Sequence, residues 1–293
     1  MTIAKSQHKQ LNCGGKILDL SVPSVMGVLN ITPDSFSDGG QFFTADKVDR
    51  DKVLATVETM ISEGADIIDL GGESTRPGAT PITVQQELDR VIPVLELLSK
   101  RFDAIFSVDT SSPEVMLEAC DAGAHLINDV RALRREGALD AAEETGLPVC
   151  LMHMQNEPNS MQDNPQYEDV VTEVLNFLNK RKLQCLAAGI AEQQILLDPG
   201  FGFGKTLQHN LALFAGLERL AAKNHPIVVG LSRKSMIGQL INADVNDRVI
   251  GSVTMAVLAA QKIHRAGGAL ILRVHDVKQT KQAISIWQAV DQS

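Results

Sequence analysis

Residues 25–40 read Val-Met-Gly-Val-Leu-Asn-Ile-Thr-Pro-Asp-Ser-Phe-Ser-Asp-Gly-Gly. The apolar run from Val25 to Ile31 predicts a buried strand with a polar side chain, Asn30, near its end. The Pro, Asp, Ser and Gly residues that follow predict a loop about twice as long as the two to six residues usual after a strand in α/β proteins. Because loops of that length are typically binding loops or lids, we predict a lid over residues 32–43 that is mobile when no ligand is bound.

The same pattern, an apolar run that ends in polar residues, recurs along the whole chain. The predicted strands are Val25–Asn30, Ala65–Gly71, Ala104–Asp109, His125–Asp129, Pro148–His153, Ile195–Asp198, Ile227–Ser232 and Ala269–His275. These runs lack polar alternation, which is typical of a parallel sheet covered on both faces. Apolar residues at helical spacing predict helices over Val84–Phe102, Pro113–Ala122, Val170–Ala188, Leu211–Ala222 and Arg248–Ala266.

Eight strand–helix units without a Pro- or Ser-rich linker favour an α/β fold, a (β/α)8 TIM barrel that forms a single catalytic domain over residues 23–293. A doubly wound open sheet is the alternative architecture. Residues 1–22 precede the first barrel strand and are predicted to be an N-terminal extension, which could be a hairpin that closes the bottom of the barrel.

Composition excludes several classes of protein. The net charge of −9 argues against a nucleic-acid surface, which needs a basic face, but allows a small anionic substrate held by a few local cations. No apolar run approaches about 18 residues and no signal peptide is visible, so we expect neither a membrane span nor secretion. The four cysteines form no C-x-x-C pair and are interpreted as reduced structural thiols of a cytoplasmic protein.

Polar side chains end nearly every predicted strand, and in barrels of this type catalytic groups stand at the carboxyl ends of strands. These residues are Asn30, Asp69 with Glu73–Arg76, Asp109, Asn128 with Asp129, Met152 with His153, Asp198, Ser232–Lys234, and Arg273 with His275. A single Asp or Asn at such a position is most often a helix cap, as Asp69 and Asp129 could be. So many polar groups at one mouth need mutual or ligand partners, which indicates a binding site.

The chemistry of this set indicates its ligands. Asp109, Asn128 and Asp198 supply the acceptors and the amide that suit a flat heterocycle such as a pterin or a purine. Converging cations suit a diphosphate, which Arg can bind with two donors at once. These cations are Arg76, Lys234, Arg273 and His275. Asn30 offers the neutral oxygen that suits a Mg²⁺ ion shared with phosphates.

The segment Asp198–Thr206 contains alternate glycines but lacks the spacing of a Walker A loop, so a nucleotide P-loop is the weaker interpretation. Alternate glycines permit close approach to a ligand, and Phe201 and Phe203 could then wall an aromatic ring. Lys205 could contact either ligand or solvent. His153 has no partners at metal-ligand spacing and is interpreted as a packed residue, while Met152 could cover a ring face.

From about Asp19 to Val290 the chain resembles the bacterial dihydropteroate synthase family. The segments that carry the resemblance are Gly27–Gly40, Asp69–Gly78, Ser107–Thr110, Ile127–Asp129, Asp198–Lys205, Ser232–Gly238 and Arg273–Asp276. The resemblance implies a (β/α)8 enzyme that joins dihydropterin-6-ylmethyl diphosphate to 4-aminobenzoate with Mg²⁺ and releases pyrophosphate and 7,8-dihydropteroate. It also implies a homodimer and a target of sulfonamides, which imitate aminobenzoate.

The resemblance also implies roles for individual residues. Asp109, Asn128, Asp198 and Lys234 would hold the pterin. Thr75, Arg76, Arg273 and His275 would hold the diphosphate, and Asn30 the metal. Phe36, Pro77, Phe203 and Ser235 would form the aminobenzoate pocket. Asp109, Asp198, Lys234 and Arg273 are the predicted catalytic residues. Because the Ser74–Gly78 segment is intact, we predict a sulfonamide-sensitive enzyme.

The residue types favour direct transfer to the arylamine over a covalent enzyme intermediate. We expect substantial C–O cleavage before attack, with Asp109 and Asp198 stabilising the developing cation. The alternatives are a pterin-binding barrel of a methyltransferase and a phosphate-binding barrel of sugar metabolism. The first has no need of the diphosphate and benzoate residues, and the second gives no reason for Asn30.

Overall fold

The computed structural model describes residues 9–32, 42–44, 47–75, 78–158 and 160–291. The strands are β1 (Gln10–Cys13), β2 (Lys16–Asp19), β3 (Ser24–Asn30), β4 (Phe43–Thr44), β5 (Lys47–Val48), β6 (Ile67–Gly71), β7 (Ile105–Asp109), β8 (Leu126–Asp129), β9 (Val149–Met152), β10 (Ile195–Asp198), β11 (Ile227–Val229) and β12 (Leu270–Val274). The helices are α1 (Arg50–Ser62), α2 (Val84–Arg101), α3 (Pro113–Asp121), α4 (Ala138–Thr145), α5 (Val170–Ala187), α6 (Leu207–Ala215), α7 (Leu217–Ala221), α8 (Ser235–Ile241), α9 (Val249–Arg265) and α10 (Val277–Asp291).

Eight parallel strands close into a barrel in the order β3, β6, β7, β8, β9, β10, β11 and β12, and β12 pairs again with β3. Leu272 of β12 lies opposite Val25 of β3, so no edge is left open. The buried faces of these strands explain the unbroken apolar runs in the sequence. The (β/α)8 prediction is therefore confirmed, and the open-sheet alternative is wrong.

The predicted helices agree with the structure at four positions, namely α2, α3, α5 and α9, to within a residue or two. The helix predicted from Leu211 to Ala222 is wrong at its start, because α6 begins at Leu207 and a second helix, α7, follows after Gly216. The Thr206 side chain caps α6 by accepting the N–H of His209 at 3.2 Å. Serine and threonine caps of this kind satisfy backbone donors that the first turn leaves unpaired.

An antiparallel hairpin of β1 and β2 covers the amino-terminal end of the barrel. Its buried side chains, Leu11, Cys13 and Leu18, pack in one apolar cluster with residues from the barrel strands. The barrel members of that cluster are Met26, Ile67, Ile105, Leu126, Cys150, Leu196, Val228 and Ile271. This end of the barrel is filled with apolar side chains, so the polar residues must be accommodated at the other end.

The four cysteines are free thiols. Burial raises the pKa of Cys13 to about 12 and that of Cys185 to about 11, which keeps both thiols protonated and unreactive at neutral pH. None of the helices in the described ranges is long and apolar enough to cross a membrane.

Candidate active site

A cavity of about 500 Å³ opens at the carboxyl ends of the barrel strands. Its wall includes Asn30, Thr32, Glu73, Ser74, Thr75, Asp109, Met161, Gly202, Phe203, Ser232, Arg233, Lys234, Ser235, Val245, Arg248, Arg273 and His275. Eight of these residues were predicted from the sequence as site residues, namely Asn30, Thr75, Asp109, Phe203, Lys234, Ser235, Arg273 and His275. The fold thus brings residues from seven barrel strands, or from the loops that follow them, to one pocket.

At the floor of the cavity Arg273 joins two carboxylates from neighbouring strands. Its Nε donates to Asp69 Oδ2 at 2.6 Å, and its Nη2 donates to Asp109 Oδ2 at 2.9 Å. The Asn128 amide donates to the same Asp69 oxygen at 3.1 Å. Asp69 is completely buried, and its second oxygen, Oδ1, has no hydrogen-bond partner among the described residues. Arg273 is therefore part of an internal ion pair rather than a surface salt bridge.

Burial and charge pairing shift the pKa values of these side chains in opposite directions. Burial raises the pKa of Asp109 above its usual range, and the adjacent Arg273 opposes that rise. Burial alone would lower the pKa of Arg273, but Asp69 and Asp109 together raise it above its ordinary value. The guanidinium is thus permanently charged, and it supplies the counter-charge that a buried carboxylate needs.

A second charged pair, Lys234 and Asp198, borders the glycine-rich loop. Asp198 Oδ1 accepts the backbone N–H of Gly200 at 2.7 Å. The Lys234 ammonium donates to the carbonyl of Phe201 and lies 4.6 Å from the centroid of the Phe203 ring. Burial lowers the pKa of Lys234 to about 8, and Asp198 opposes that shift. Lys234 can therefore donate to a ligand at neutral pH.

The glycine-rich loop itself differs from the sequence interpretation at two residues. Phe201 is fully buried and packs near Phe214, with 6.1 Å between ring centroids, so the prediction that it walls the ligand is wrong. Lys205 contacts neither ligand space nor solvent. Its buried Nζ lies 2.9 Å from His153 Nδ1 and donates to the carbonyls of Gly200 at 2.8 Å and Phe203 at 3.0 Å. Lys205 therefore fixes the loop that presents Phe203 to the cavity.

Close backbone contact explains the glycine at the start of this loop. Gly200 has a φ of +67°, and a Cβ there would lie 1.8 Å from the carbonyl oxygen of His153. Only glycine accommodates both constraints. The loop is thereby pressed against the end of β9, with His153 packed beneath it as the sequence indicated.

Three predicted residues lie next to the cavity rather than on its wall. Asn128 and Asp198 are buried at the ends of β8 and β10. Met152 packs in an apolar cluster with Met161, against which Phe203 also packs. The predicted site residues Phe36, Arg76 and Pro77, and most of the lid predicted over residues 32–43, lie outside the described residues.

Met161 and Arg248 of the cavity wall had no role in the sequence-based prediction, and Glu73 was named only among the polar residues that follow the second predicted strand. Glu73 forms an ion pair with Arg131 at 3.0 Å. Arg248 donates to the carbonyl of Arg233 at 3.0 Å, and the Arg233 side chain binds Asp276 through two hydrogen bonds. Met161 and Arg248 lie far along the sequence from the predicted strand ends, so no signal was available for them.

Asn30 is suited to hold a metal ion together with a substrate. Its side chain, half-buried at the end of β3, has no hydrogen-bond partner in the described part of the chain. A Cβ on Gly71 would lie 3.6 Å from Asn30 Oδ1 and 4.0 Å from Asp109 Oδ2, so these two oxygens flank the same backbone position. One neutral oxygen fits a Mg²⁺ ion that keeps most of its waters and is shared with phosphates. No cluster of three or more His, Cys, Asp or Glu residues suited to a metal occurs among the described residues.

We expect the buried His153 to make the folded protein sensitive to acid. Burial, assisted by Lys205, lowers the pKa of His153 from 6.5 to about 2. Between these two pKa values His153 is protonated in the unfolded chain but neutral in the folded chain. The free energy of unfolding therefore falls as the pH decreases below 6.5. At pH 5 the loss should be about 2 kcal/mol relative to pH 7.5.

Denaturant titrations of the wild type and of His153→Gln at pH 7.5 and pH 5 measure this loss. The wild type should lose about 2 kcal/mol more than the variant between the two values. Equal losses in the two proteins would show that His153 is not the group responsible.

Comparison with known proteins places the chain among proteins with one shared description. A family model described as pterin binding enzyme matches residues 26–275. The dihydropteroate synthase of Haemophilus influenzae is 52% identical over 280 residues, which cover 96% of this chain and 98% of that protein. The dihydropteroate synthase of Escherichia coli K12 is 53% identical over 275 residues, which cover 94% of each chain.

Solved structures give the same result. The Yersinia pestis dihydropteroate synthase in complex with a sulfonamide drug has a TM-score of 0.91 at 52% identity, covering 97% of this chain and 100% of that one. The Xanthomonas albilineans dihydropteroate synthase with 4-aminobenzoic acid has a TM-score of 0.89 at 48% identity, covering 98% and 100%. The same Xanthomonas enzyme with 7,8-dihydropteroate has a TM-score of 0.85 at 45% identity, covering 97% and 99%.

Proposed function

The chain belongs to the dihydropteroate synthase family of pterin binding enzymes, and we infer that it condenses dihydropterin-6-ylmethyl diphosphate with 4-aminobenzoate to 7,8-dihydropteroate and pyrophosphate. The observation that carries this inference is the cavity in which Asp109, Lys234, Arg273 and His275 converge over a barrel closed at its other end. The methyltransferase alternative is wrong, since the relatives are synthases at high identity over nearly the whole chain.

For the pterin, the polar groups at the floor of the barrel are the proposed ligands. Asp109, Asn128 and Asp198 offer carboxylate and amide groups to the ring N–H groups and ring acceptors, and Lys234 adds a donor. Asp109, Asn128 and Asp198 lie at the ends of strands, and Lys234 precedes the first residue of α8 in the loop after β11. Asn128 and Asp198 are buried, which keeps water away from them and strengthens their hydrogen bonds to the heterocycle.

For the diphosphate, Arg273 and His275 are the proposed partners, together with Thr75. Arg273 carries a permanent charge and presents a planar set of donors. His275 lies on the cavity wall with its Nδ1 3.1 Å from Ser232 Oγ, which fixes the orientation of the imidazole ring. Positive groups at this position stabilise the pyrophosphate as it leaves.

We propose direct attack of the arylamine on the pterin methylene carbon, without a covalent enzyme intermediate. The C–O bond to the diphosphate breaks, its electron pair leaves with pyrophosphate, and the amine nitrogen forms the new C–N bond and then loses a proton. Asp109 and Asp198 would stabilise the positive charge that develops on the pterin side in the transition state.

The aminobenzoate would occupy the outer part of the cavity beside Phe203 and Ser235. A sulfonamide should compete for this place, so raising the 4-aminobenzoate concentration should restore activity fully and raise the apparent inhibition constant in proportion. Steady-state pyrophosphate release at several concentrations of both compounds measures this. Inhibition that aminobenzoate does not relieve would contradict the proposed binding site.

We propose that Asn30 is a Mg²⁺ ligand in the substrate complex. A bound Mg²⁺ would neutralise charge on the diphosphate and assist its departure. Asn30→Ala removes the one protein oxygen proposed for the ion, so the Mg²⁺ concentration for half-maximal activity should rise about tenfold, the equivalent of about 1.4 kcal/mol.

Asn30→Asp is the matched control, because it keeps an oxygen ligand and adds charge. It should need no more Mg²⁺ than the wild type. A Mg²⁺ titration that is identical for Asn30→Ala and the wild type would remove Asn30 from the metal site.

We propose a homodimer that buries the outer face of α8, α9 and α10. The large exposed apolar residues of these three helices are Leu240, Ile241, Ile250, Leu258, Ile286 and Val290, and α9 packs against both α8 and α10. Light scattering should give twice the chain mass of 31.7 kDa, and Ile250→Glu should shift the protein to the monomer. A monomeric wild type would contradict the proposal. The cytoplasmic location expected from the sequence is a separate point and stays a prediction.

A further inference from the structure

The buried Arg131, in the turn after β8, connects the loops that follow three other barrel strands. Its guanidinium donates to Glu73 after β6 at 3.0 Å, to Ser111 after β7 at 3.1 Å and to Glu157 after β9 at 3.2 Å. Asp129 holds the turn in place, because its Oδ1 accepts the backbone N–H of Arg131 at 2.8 Å. The proposed mechanism uses none of these contacts.

Glu73 is the partner that reaches the cavity. Its side chain is 12% exposed and lines the wall, directly before Ser74 and Thr75, which also line it. A carboxylate at this position repels a diphosphate unless another charge neutralises it. Arg131 supplies that charge at 3.0 Å, and Arg135 approaches the other carboxylate oxygen at 3.8 Å.

The residue before Glu73 is fixed independently. The carbonyl of Gly72 accepts a hydrogen bond from Arg90 at 2.9 Å. A Cβ on Gly72 would lie 2.7 Å from a methyl of Val91, so the loop runs in close contact with α2. Glu73 therefore follows a residue that is held in place, and it directly precedes Ser74 and Thr75 on the cavity wall.

We propose that Arg131 is a positioning residue for the anionic substrate. It binds the Glu73 carboxylate, cancels its charge toward the diphosphate and fixes the loop that presents Thr75. This inference rests on the proposed function, because it takes the pterin diphosphate as the anion bound in the cavity.

The test is a double-mutant cycle on the full-length protein. Arg131→Met should raise the KM for the pterin diphosphate and the Kd of inorganic pyrophosphate about tenfold, with kcat within about threefold of the wild type. Adding Glu73→Gln removes the uncompensated charge, so the double variant should return to within about threefold of Glu73→Gln alone. Arg134→Met is the matched control, since it removes an exposed arginine of the same turn that makes no hydrogen bond to Glu73.

Thermal melting establishes that each variant is folded. Should Arg131→Met not fold, Arg131→Gln replaces it, with the same criterion of rescue by Glu73→Gln. A folded Arg131 variant with unchanged KM and Kd would overturn the inference. So would a double variant whose KM and Kd are as high as those of the Arg131 variant alone. Absence of product with the wild type would instead overturn the proposed function, so the two failures are distinguishable.

Discussion

Replacing Arg273 with Met should lower kcat/KM for the pterin diphosphate by about 10³-fold and the free energy of unfolding by about 3–5 kcal/mol. Among the described residues, two side chains donate hydrogen bonds to the buried Asp69, namely Arg273 and Asn128. Removal of Arg273 leaves the buried Asp69 and the neighbouring Asp109 without the guanidinium that pairs with both. The same substitution takes away the proposed cation that stabilises pyrophosphate as it departs.

Initial rates at varied pterin diphosphate and denaturant titrations measure the two effects separately. Arg273→Lys is the control, because it keeps the charge but loses the two-donor geometry. It should recover most of the stability and little of the activity. Full activity in a folded Arg273→Met protein would contradict the proposed role.

Replacing Lys234 with Met should lower kcat/KM by about 10²-fold or more, chiefly through weaker binding of the pterin. Lys234 places its ammonium beside the Phe203 ring and provides the counter-charge of Asp198. Without it, burial raises the pKa of Asp198 further, and the floor of the site loses both a donor and an ionised acceptor.

Isothermal titration with a pterin ligand, run beside steady-state kinetics, measures the loss of affinity. Lys281→Met is the matched control. Lys281 forms an ion pair with Asp66, with 2.6 Å between Nζ and Oδ2, and neither residue is part of the cavity wall. Its kcat/KM should equal that of the wild type. Equal losses in both variants would mean that the Lys234 effect is not specific to the site.

The barrel could be predicted because each strand is buried on both faces and reads as an unbroken apolar run. Val25–Asn30 and Ile195–Asp198 illustrate this, and both occur as strands within a residue of the predicted bounds. The position of polar groups at the ends of such runs also placed Asn30, Asp109 and Arg273 on one cavity. The topology of a barrel brings the carboxyl ends of its strands together. The shared location of these three side chains could therefore be predicted without knowing any contact between them.

Contacts between distant residues could not be predicted in this way. Arg273 lies 204 residues from Asp69 in the sequence, and Arg131 lies 58 residues from Glu73. Nothing in local composition distinguishes an arginine that binds a buried carboxylate from one that faces solvent. The sequence therefore indicated cations for a diphosphate but not the internal ion pair that holds one of them.

The glycine-rich loop shows a local limit of the same kind. Phe201 and Phe203, two residues apart, would point to the same side of an extended chain. Positive φ values at Gly200, Gly202 and Gly204 break that alternation, so Phe201 enters the core while Phe203 reaches the cavity. Lys205 is likewise drawn inward by carbonyl groups that the same turns expose.

The most direct test is incubation of the protein with dihydropterin-6-ylmethyl diphosphate, 4-aminobenzoate and Mg²⁺, with both products measured over time. We predict that 7,8-dihydropteroate and pyrophosphate form in equal amounts, and that omission of 4-aminobenzoate abolishes dihydropteroate. A folded protein that forms no dihydropteroate under these conditions would contradict the assigned reaction.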